Sequence, residues 1–150
     1  MPLLSDAHAL RQSVDDLAAW AEPRKVDVVV GAEARGFILG AALAYKLGCG
    51  FAAARKPGKL PYLTVGAKYA LEYGFDALEM HVDAIPKGAR VLIHDDLLAT
   101  GGTARAKVEL IEQLGAIVVG AAFVIELGFL NGRDKLYGYD VHSLITYDAE

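Results

Sequence analysis

Val91-Leu92-Ile93-His94-Asp95-Asp96-Leu97-Leu98-Ala99-Thr100-Gly101-Gly102-Thr103 is the most informative stretch of this chain. Its apolar opening predicts a buried strand over 90–94. Two adjacent carboxylates close the strand, and a loop of small residues follows. The spacing after Thr103 predicts a helix over 103–114 with Gly115 past its end. Consecutive backbone N–H groups in a glycine-containing turn form an anion nest, and a helix N-terminus adds about half a positive charge beside it. Thr100 and Thr103 add hydroxyl donors. Such a place takes a phosphate monoester. The carboxylates would repel that phosphate unless they face another part of the ligand, and the hydroxyls of an attached sugar meet this requirement. The stretch therefore reads as a phosphoribosyl site. Competing phosphate motifs fail. Gly58-Lys59 lacks the upstream glycine and the Ser/Thr of a Walker A loop. Gly48-Cys49-Gly50-Phe51-Ala52-Ala53 matches G-x-G-x-x-A by letter but precedes a strand.

Outward from this stretch, strands and helices alternate. Ser5 is expected to cap an amphipathic helix that carries Leu10, Val14 and Leu17 to about Trp20. The Val26–Val30 run and the segment 51–54 read as strands, and 36–47 reads as an alanine-rich helix closed by Gly48. The segment 55–66, rich in Lys, Pro and Gly, reads as a long loop. Alternation at Tyr69-Leu71-Tyr73 and Leu78-Met80-Val82 predicts two antiparallel strands. Further strands are expected over 117–125 and 141–145, with a mixed turn or short helix over 128–137. The pattern predicts an α/β fold on a mainly parallel sheet, in which ligands sit at the carboxyl ends of the strands. Apolar patterning continues without a linker, so 1–150 reads as a single domain.

Composition sets the outer bounds. The chain has 150 residues, 54% hydrophobic and 23% charged, which argues against disorder. Mean hydropathy is +0.30. The uncharged run 114–125 nevertheless falls short of the about 20 residues a membrane-spanning helix needs. The start, Met1-Pro2-Leu3-Leu4-Ser5, has no basic segment ahead of an apolar one, so no signal peptide is expected and a cytoplasmic location follows as the default. The single Cys49 excludes an internal disulfide framework and a multi-cysteine zinc site. A net charge of −4 opposes a broad nucleic-acid surface while leaving room for a local basic pocket.

With these motifs in view, the chain resembles the adenine phosphoribosyltransferases of the type I phosphoribosyltransferase family. The stretch 91–103 resembles the family's signature for phosphoribosyl diphosphate (PRPP). Gly31-Ala32-Glu33-Ala34-Arg35-Gly36-Phe37-Ile38 resembles its first substrate loop, and Arg55-Lys56-Pro57-Gly58-Lys59-Leu60-Pro61 its mobile lid. Leu71-Glu72-Tyr73-Gly74, Leu78-Glu79-Met80-His81 and the tail Phe123-Val124-Ile125-Glu126-Leu127 with Leu130 and Gly132-Arg133 follow in family order. The resemblance implies a type I phosphoribosyltransferase fold: a mainly parallel twisted sheet flanked by helices, a mobile lid and a small hood. Family members carry a further N-terminal segment with a Phe-Pro-x-Pro-Gly motif, whereas this sequence opens at Met1-Pro2-Leu3-Leu4, so the hood is expected to be incomplete.

The implied reaction is adenine plus PRPP giving AMP and pyrophosphate, as in purine salvage. By resemblance, Asp95 and Asp96 hold the ribose hydroxyls. Ala99, Thr100, Gly101, Gly102 and Thr103 bind the 5′-phosphate. Glu33, Ala34, Arg35, Arg55, Lys56 and Lys59 serve pyrophosphate, with a non-proline cis peptide at Glu33–Ala34. Glu72 handles the proton of the purine, Tyr73 shapes the lid, and Leu127 and Leu130 pack near the base. Mg²⁺ is held mainly through PRPP and pyrophosphate oxygens, with no direct protein ligand. Arg55 reaches the neighbouring subunit's site in a homodimer. Two other readings stay open on sequence: a phosphoribosyltransferase for another base, and a non-catalytic PRPP-binding regulator of the same fold. His94 replaces a residue that is usually apolar or acidic, and reads either as a plain strand residue or as a pH-sensitive neighbour of the carboxylates.

Overall fold

The computed structural model describes residues 2–71 and 74–149. Five strands form one parallel sheet: β1 (Val28–Ala32), β2 (Gly50–Ala54), β5 (Arg90–Leu98), β6 (Ile117–Leu127) and β7 (Val141–Tyr147), in the order β2-β1-β5-β6-β7. Two further strands, β3 (Thr64–Leu71) and β4 (Gly74–His81), pair antiparallel as a separate ribbon. Every residue of β1 is buried, because both faces of a parallel sheet are covered and the strand need not alternate with polar residues.

The two faces are packed by different elements. Helices α1 (Ala7–Ala21) and α2 (Arg35–Leu47) cover one, where Leu17, Leu39 and Leu43 meet Val29, Leu92, Ala122 and Val124. Helix α3 (Gly102–Gln113) covers the other, where Val108, Leu110 and Ile111 meet Val30, Val91, Ile93 and Phe123. The β3–β4 ribbon packs on this second side and sends Leu78 and Met80 into the same core. Successive strand side chains point to opposite faces. In β5 that rule sends Val91 and Ile93 toward α3 and Leu92 toward α2, and it fixes where the two aspartates beyond them aim.

The expected parallel α/β architecture is present, with local differences. Asp6, not Ser5, caps α1: its carboxylate accepts from the N–H groups of His8 and Ala9, while Ser5 lies in a preceding 3₁₀ turn and its hydroxyl donates to the Pro2 carbonyl. Strand β5 runs to Leu98 rather than ending at His94. Its polar residues stay in the ladder because β6 supplies partners as far as Glu126, and backbone pairing does not depend on side-chain polarity. Strand β3 begins at Thr64, inside the segment expected to be loop. The segment after β6 forms two short 3₁₀ turns, Gly128–Leu130 and Gly132–Leu136. Among the described residues, no helix is long and apolar enough to cross a membrane.

Candidate active site

A cleft of about 360 Å³ opens at the carboxyl ends of β1 and β5. Its floor is the loop Ala99, Thr100, Gly101, Gly102 and Thr103. Glu33 and Arg35 line one wall, Lys56, Tyr69 and Asp76 another, and Asp95 and Asp96 lie between them. The loop turns sharply at Gly101, whose φ of +88° suits glycine, and α3 starts directly after it with no side chain capping its first turn. Backbone donors and the positive end of the helix dipole therefore face the cleft, as an anion site requires. The loop is also braced from behind. A Cβ on Gly101 would lie 2.5 Å from the Gly132 carbonyl oxygen, and one on Gly132 would lie 2.5 Å from the Ala99 carbonyl oxygen. The 3₁₀ turn after β6 thus presses directly on this glycine loop.

The paired carboxylates diverge as the strand pleat dictates. Asp95 turns toward α3, where the buried Lys107 ammonium donates to its Oδ2 at 3.1 Å. Asp96 turns toward α2, where Arg35 Nε lies 3.2 Å from its Oδ2. The Asp96 N–H also donates to Asp95 Oδ1 at 2.9 Å. Burial pushes the Asp95 carboxyl up, but Lys107 and the hydrogen bonds from Asp96 and Lys107 override it and hold the group below the usual carboxylate range. Asp96 goes the other way. Burial, then its contact with Asp95, raise it to about 6 against the opposing pull of Arg35. Adjacent aspartates thus acquire different proton affinities. Gly36 opens α2 against this pair: a Cβ there would sit 2.9 Å from Asp95 Oδ1.

The basic residues expected around the cleft divide. Arg35 and Lys56 line it. The Glu33–Ala34 peptide is cis, and the Glu33 carboxylate accepts the Lys56 N–H and pairs with Arg55 at 3.6 Å. The Lys56 ammonium is clasped by Asp76 of β4, with the Tyr69 hydroxyl at 3.5 Å. That contact holds Asp76 below the usual range and raises Lys56. Arg55 is joined through its backbone to Glu79 and donates to the Lys59 carbonyl, and neither Arg55 nor Lys59 lines the cleft. Leu127 ends β6 and Leu130 ends the next turn, 40% exposed, both outside the cleft lining. Glu72 and Tyr73 lie outside the described residues.

His94 faces away from the cleft. It is fully buried on the α2 side, its Nδ1–H donates to the Ala122 carbonyl at 2.9 Å, and its Nε2 has no partner among the described residues. Burial first, and Lys107 second, lower it to about 4, so it is neutral near pH 7. Lys107, Tyr69 and Asp76 are the site residues that sequence reasoning missed.

A phosphoribosyl transferase domain model matches residues 4–147. The chain belongs to the phosphoribosyltransferase family. Within that family its relatives are adenine phosphoribosyltransferases. The enzyme of Acetivibrio thermocellus is 54% identical over 146 residues, which is 97% of this chain and 85% of the relative. That of Clostridium perfringens is 59% identical over 147 residues, 98% of this chain and 86% of the relative. Among solved phosphoribosyltransferases, the adenine enzyme of Thermoanaerobacter pseudethanolicus superimposes with a TM-score of 0.95 at 55% identity, over 97% of this chain and 85% of that one. The Saccharomyces cerevisiae enzyme, solved with an imino-altritol bisphosphate and adenine, has a TM-score of 0.91 at 42% identity, over 95% and 83%.

Proposed function

We propose that this chain transfers the 5-phosphoribosyl group of PRPP to adenine, giving AMP and pyrophosphate. The observation that carries the reading is the convergence, in one cleft, of an uncapped helix N-terminus, two carboxylates on the adjoining strand end, and the side chains of Arg35 and Lys56. Each part answers one part of PRPP. The loop from Ala99 to Thr103 holds the 5′-phosphate through backbone N–H groups and threonine hydroxyls. Asp95 and Asp96 accept from the ribose hydroxyls and place negative charge beside a sugar that becomes cationic as its anomeric bond breaks. Arg35 and Lys56 neutralise the departing pyrophosphate, and Lys56 must leave Asp76 to do so. Near-full-length similarity to adenine phosphoribosyltransferases, one of them solved with adenine bound, supports adenine as the acceptor.

Glu72 takes the purine proton and Tyr73 closes the lid, while Leu127 and Leu130 approach the base from the end of β6. The hard oxygen donors of the cleft suit Mg²⁺. With Lys107 and Arg35 already on the aspartates, the ion would be held chiefly through substrate oxygens and water. When bound, the ion neutralises charge on the leaving pyrophosphate. Arg55 lies outside its own chain's cleft lining, which supports a role at the site of a second copy in a homodimer. The protein acts as one domain over 1–150, in the cytoplasm.

The deciding assay incubates the purified chain with PRPP, Mg²⁺ and a panel of bases. AMP from adenine alone is expected. Nucleotide from only guanine, hypoxanthine or orotate would refute the specificity, and PRPP binding without turnover would refute the activity. Glu72→Gln is expected to lose most of kcat, about 10²–10⁴-fold for a general acid–base group, with the KM for PRPP held.

A further inference from the structure

Lys107 is among the large side chains that are fully buried, with 0% exposure. Its neighbours along α3, Ala104, Ala106, Val108, Leu110 and Ile111, are apolar core residues. An ammonium at such a position loses its hydration and needs compensating acceptors. It has two, and both belong to the strand end that carries the carboxylates: Asp95 Oδ2 at 3.1 Å and the His94 carbonyl at 3.2 Å. A buried ion pair is a weak source of stability, because an apolar residue of similar size serves a core as well. What the lysine adds is control of one carboxylate. An ionised carboxylate accepts about four hydrogen bonds. Lys107 and the Asp96 N–H take two on Asp95, which leaves acceptor capacity for the cleft.

We propose that Lys107 is a positioning residue for phosphoribosyl transfer, its ammonium holding the Asp95 carboxylate ionised and oriented so that its free acceptor sites meet the ribose hydroxyls. The inference rests on the function proposed above and adds a residue to it. Among the described residues, the charged surroundings of Asp95 are few. Lys107 comes from α3, and Arg35 from α2 reaches Asp96. On β5 itself Asp96 and the neutral His94 flank it. Strand β6 sets Phe123 opposite Asp95, and β1 sets Gly31 opposite His94, neither of them charged. Lys107 is therefore the cation that opposes burial at Asp95, alongside the hydrogen bonding from Asp96. Without it, Asp95 takes up a proton at higher pH.

The test compares wild type with Lys107→Met, which keeps the length of the chain, and Lys107→Gln, which keeps a donor without the charge. Folding is checked by circular dichroism and thermal unfolding, and kinetics are followed from about pH 5 to 9, the span in which a bell-shaped profile is read. The expected result is a KM for PRPP raised about tenfold or more in both variants, as suits the loss of a charge-assisted hydrogen bond. The KM for adenine stays unchanged, and the acid limb of kcat/KM for PRPP moves up by about one pH unit or more. Folded variants with the wild-type KM for PRPP and an unmoved acid limb overturn the proposal. A loss that raises both KM values alike, or failure of both variants to fold, also overturns it by making Lys107 a structural residue. If wild type makes no AMP, the functional reading fails instead. Calorimetric titration with PRPP then decides on Lys107: affinity about tenfold weaker in the variants supports the placement of Asp95, and equal affinity overturns it.

Discussion

Replacing Gly101 by alanine puts two separate penalties on the glycine loop proposed to hold the 5′-phosphate. The residue has φ of +88°, and its new Cβ would stand 2.5 Å from the Gly132 carbonyl oxygen and 3.2 Å from that residue's carbonyl carbon and Cα. The left-handed backbone costs a non-glycine residue about 1–2 kcal/mol. Crowding against a backbone that cannot rotate away adds about 1–3 kcal/mol. Held in place, the variant loses about 2–5 kcal/mol, and at roughly 2–4 °C per kcal/mol for a chain of this size its Tm falls by about 4–20 °C. The loop has a second option. Thr100 is exposed, so the turn can swing outward and relieve the contact, but then its N–H groups would no longer converge on the proposed phosphate position. The two options trade stability against PRPP affinity, so both are measured: thermal unfolding, and the KM for PRPP. Gly138→Ala is the control. Its φ is +90° with nothing within 4 Å of the new Cβ, so it carries the backbone penalty without the clash and leaves the KM alone. If Gly101→Ala and Gly138→Ala agree in both Tm and KM, the turn after β6 does not brace the Gly101 loop.

Two further outcomes are expected. Asp96 has a folded-state value of about 6, raised from an ordinary 3.8, so its contribution to stability is full below about 4 and lost as pH rises through about 6. Asp96→Asn should therefore raise the Tm of the unliganded protein at pH 8, lose that gain near pH 4, and weaken PRPP binding; a lower Tm at pH 8 would contradict the assignment. Asp76→Asn frees Lys56 from its clasp and should tighten pyrophosphate inhibition. Stability should change by no more than about 1 kcal/mol, because both partners are part-exposed. Unchanged inhibition would show that the clasp does not compete with the ligand.

The place of the glycine loop at the head of α3 was legible because its signal is local. Small residues, paired acids and a helix start are consecutive in the chain, and the fold places them consecutively in the cleft. The ends of elements were less legible. The apolar pattern of β5 stops at His94, yet the strand continues because its ladder partner on β6 continues. Ser5 and Asp6 are both good capping residues, and only the path of the chain decides between them. Lys107 and Asp76 were illegible for a different reason. A lysine among alternating charges on a helix reads as a solvated side chain, and an aspartate near a strand start reads as exposed. Their partners, Asp95 and Lys56, are 12 and 20 residues away. Pairings of that kind are set by how the layers stack, which no window of sequence contains.

The parity of β5 has a cost that its sequence does not advertise. Asp95 and Asp96 meet cations from opposite layers because they are neighbours on a pleat, one aimed at Lys107 and the other at Arg35. A one-residue slip that carries Asp95 into the place of Asp96 would face that acid with the wrong layer, set His94 before Lys107 and leave a bare ammonium in the core. Misregistered chains are thus penalised by charge as well as by lost packing. The same two acids that would grip the sugar also proofread the alignment of the strand that carries them.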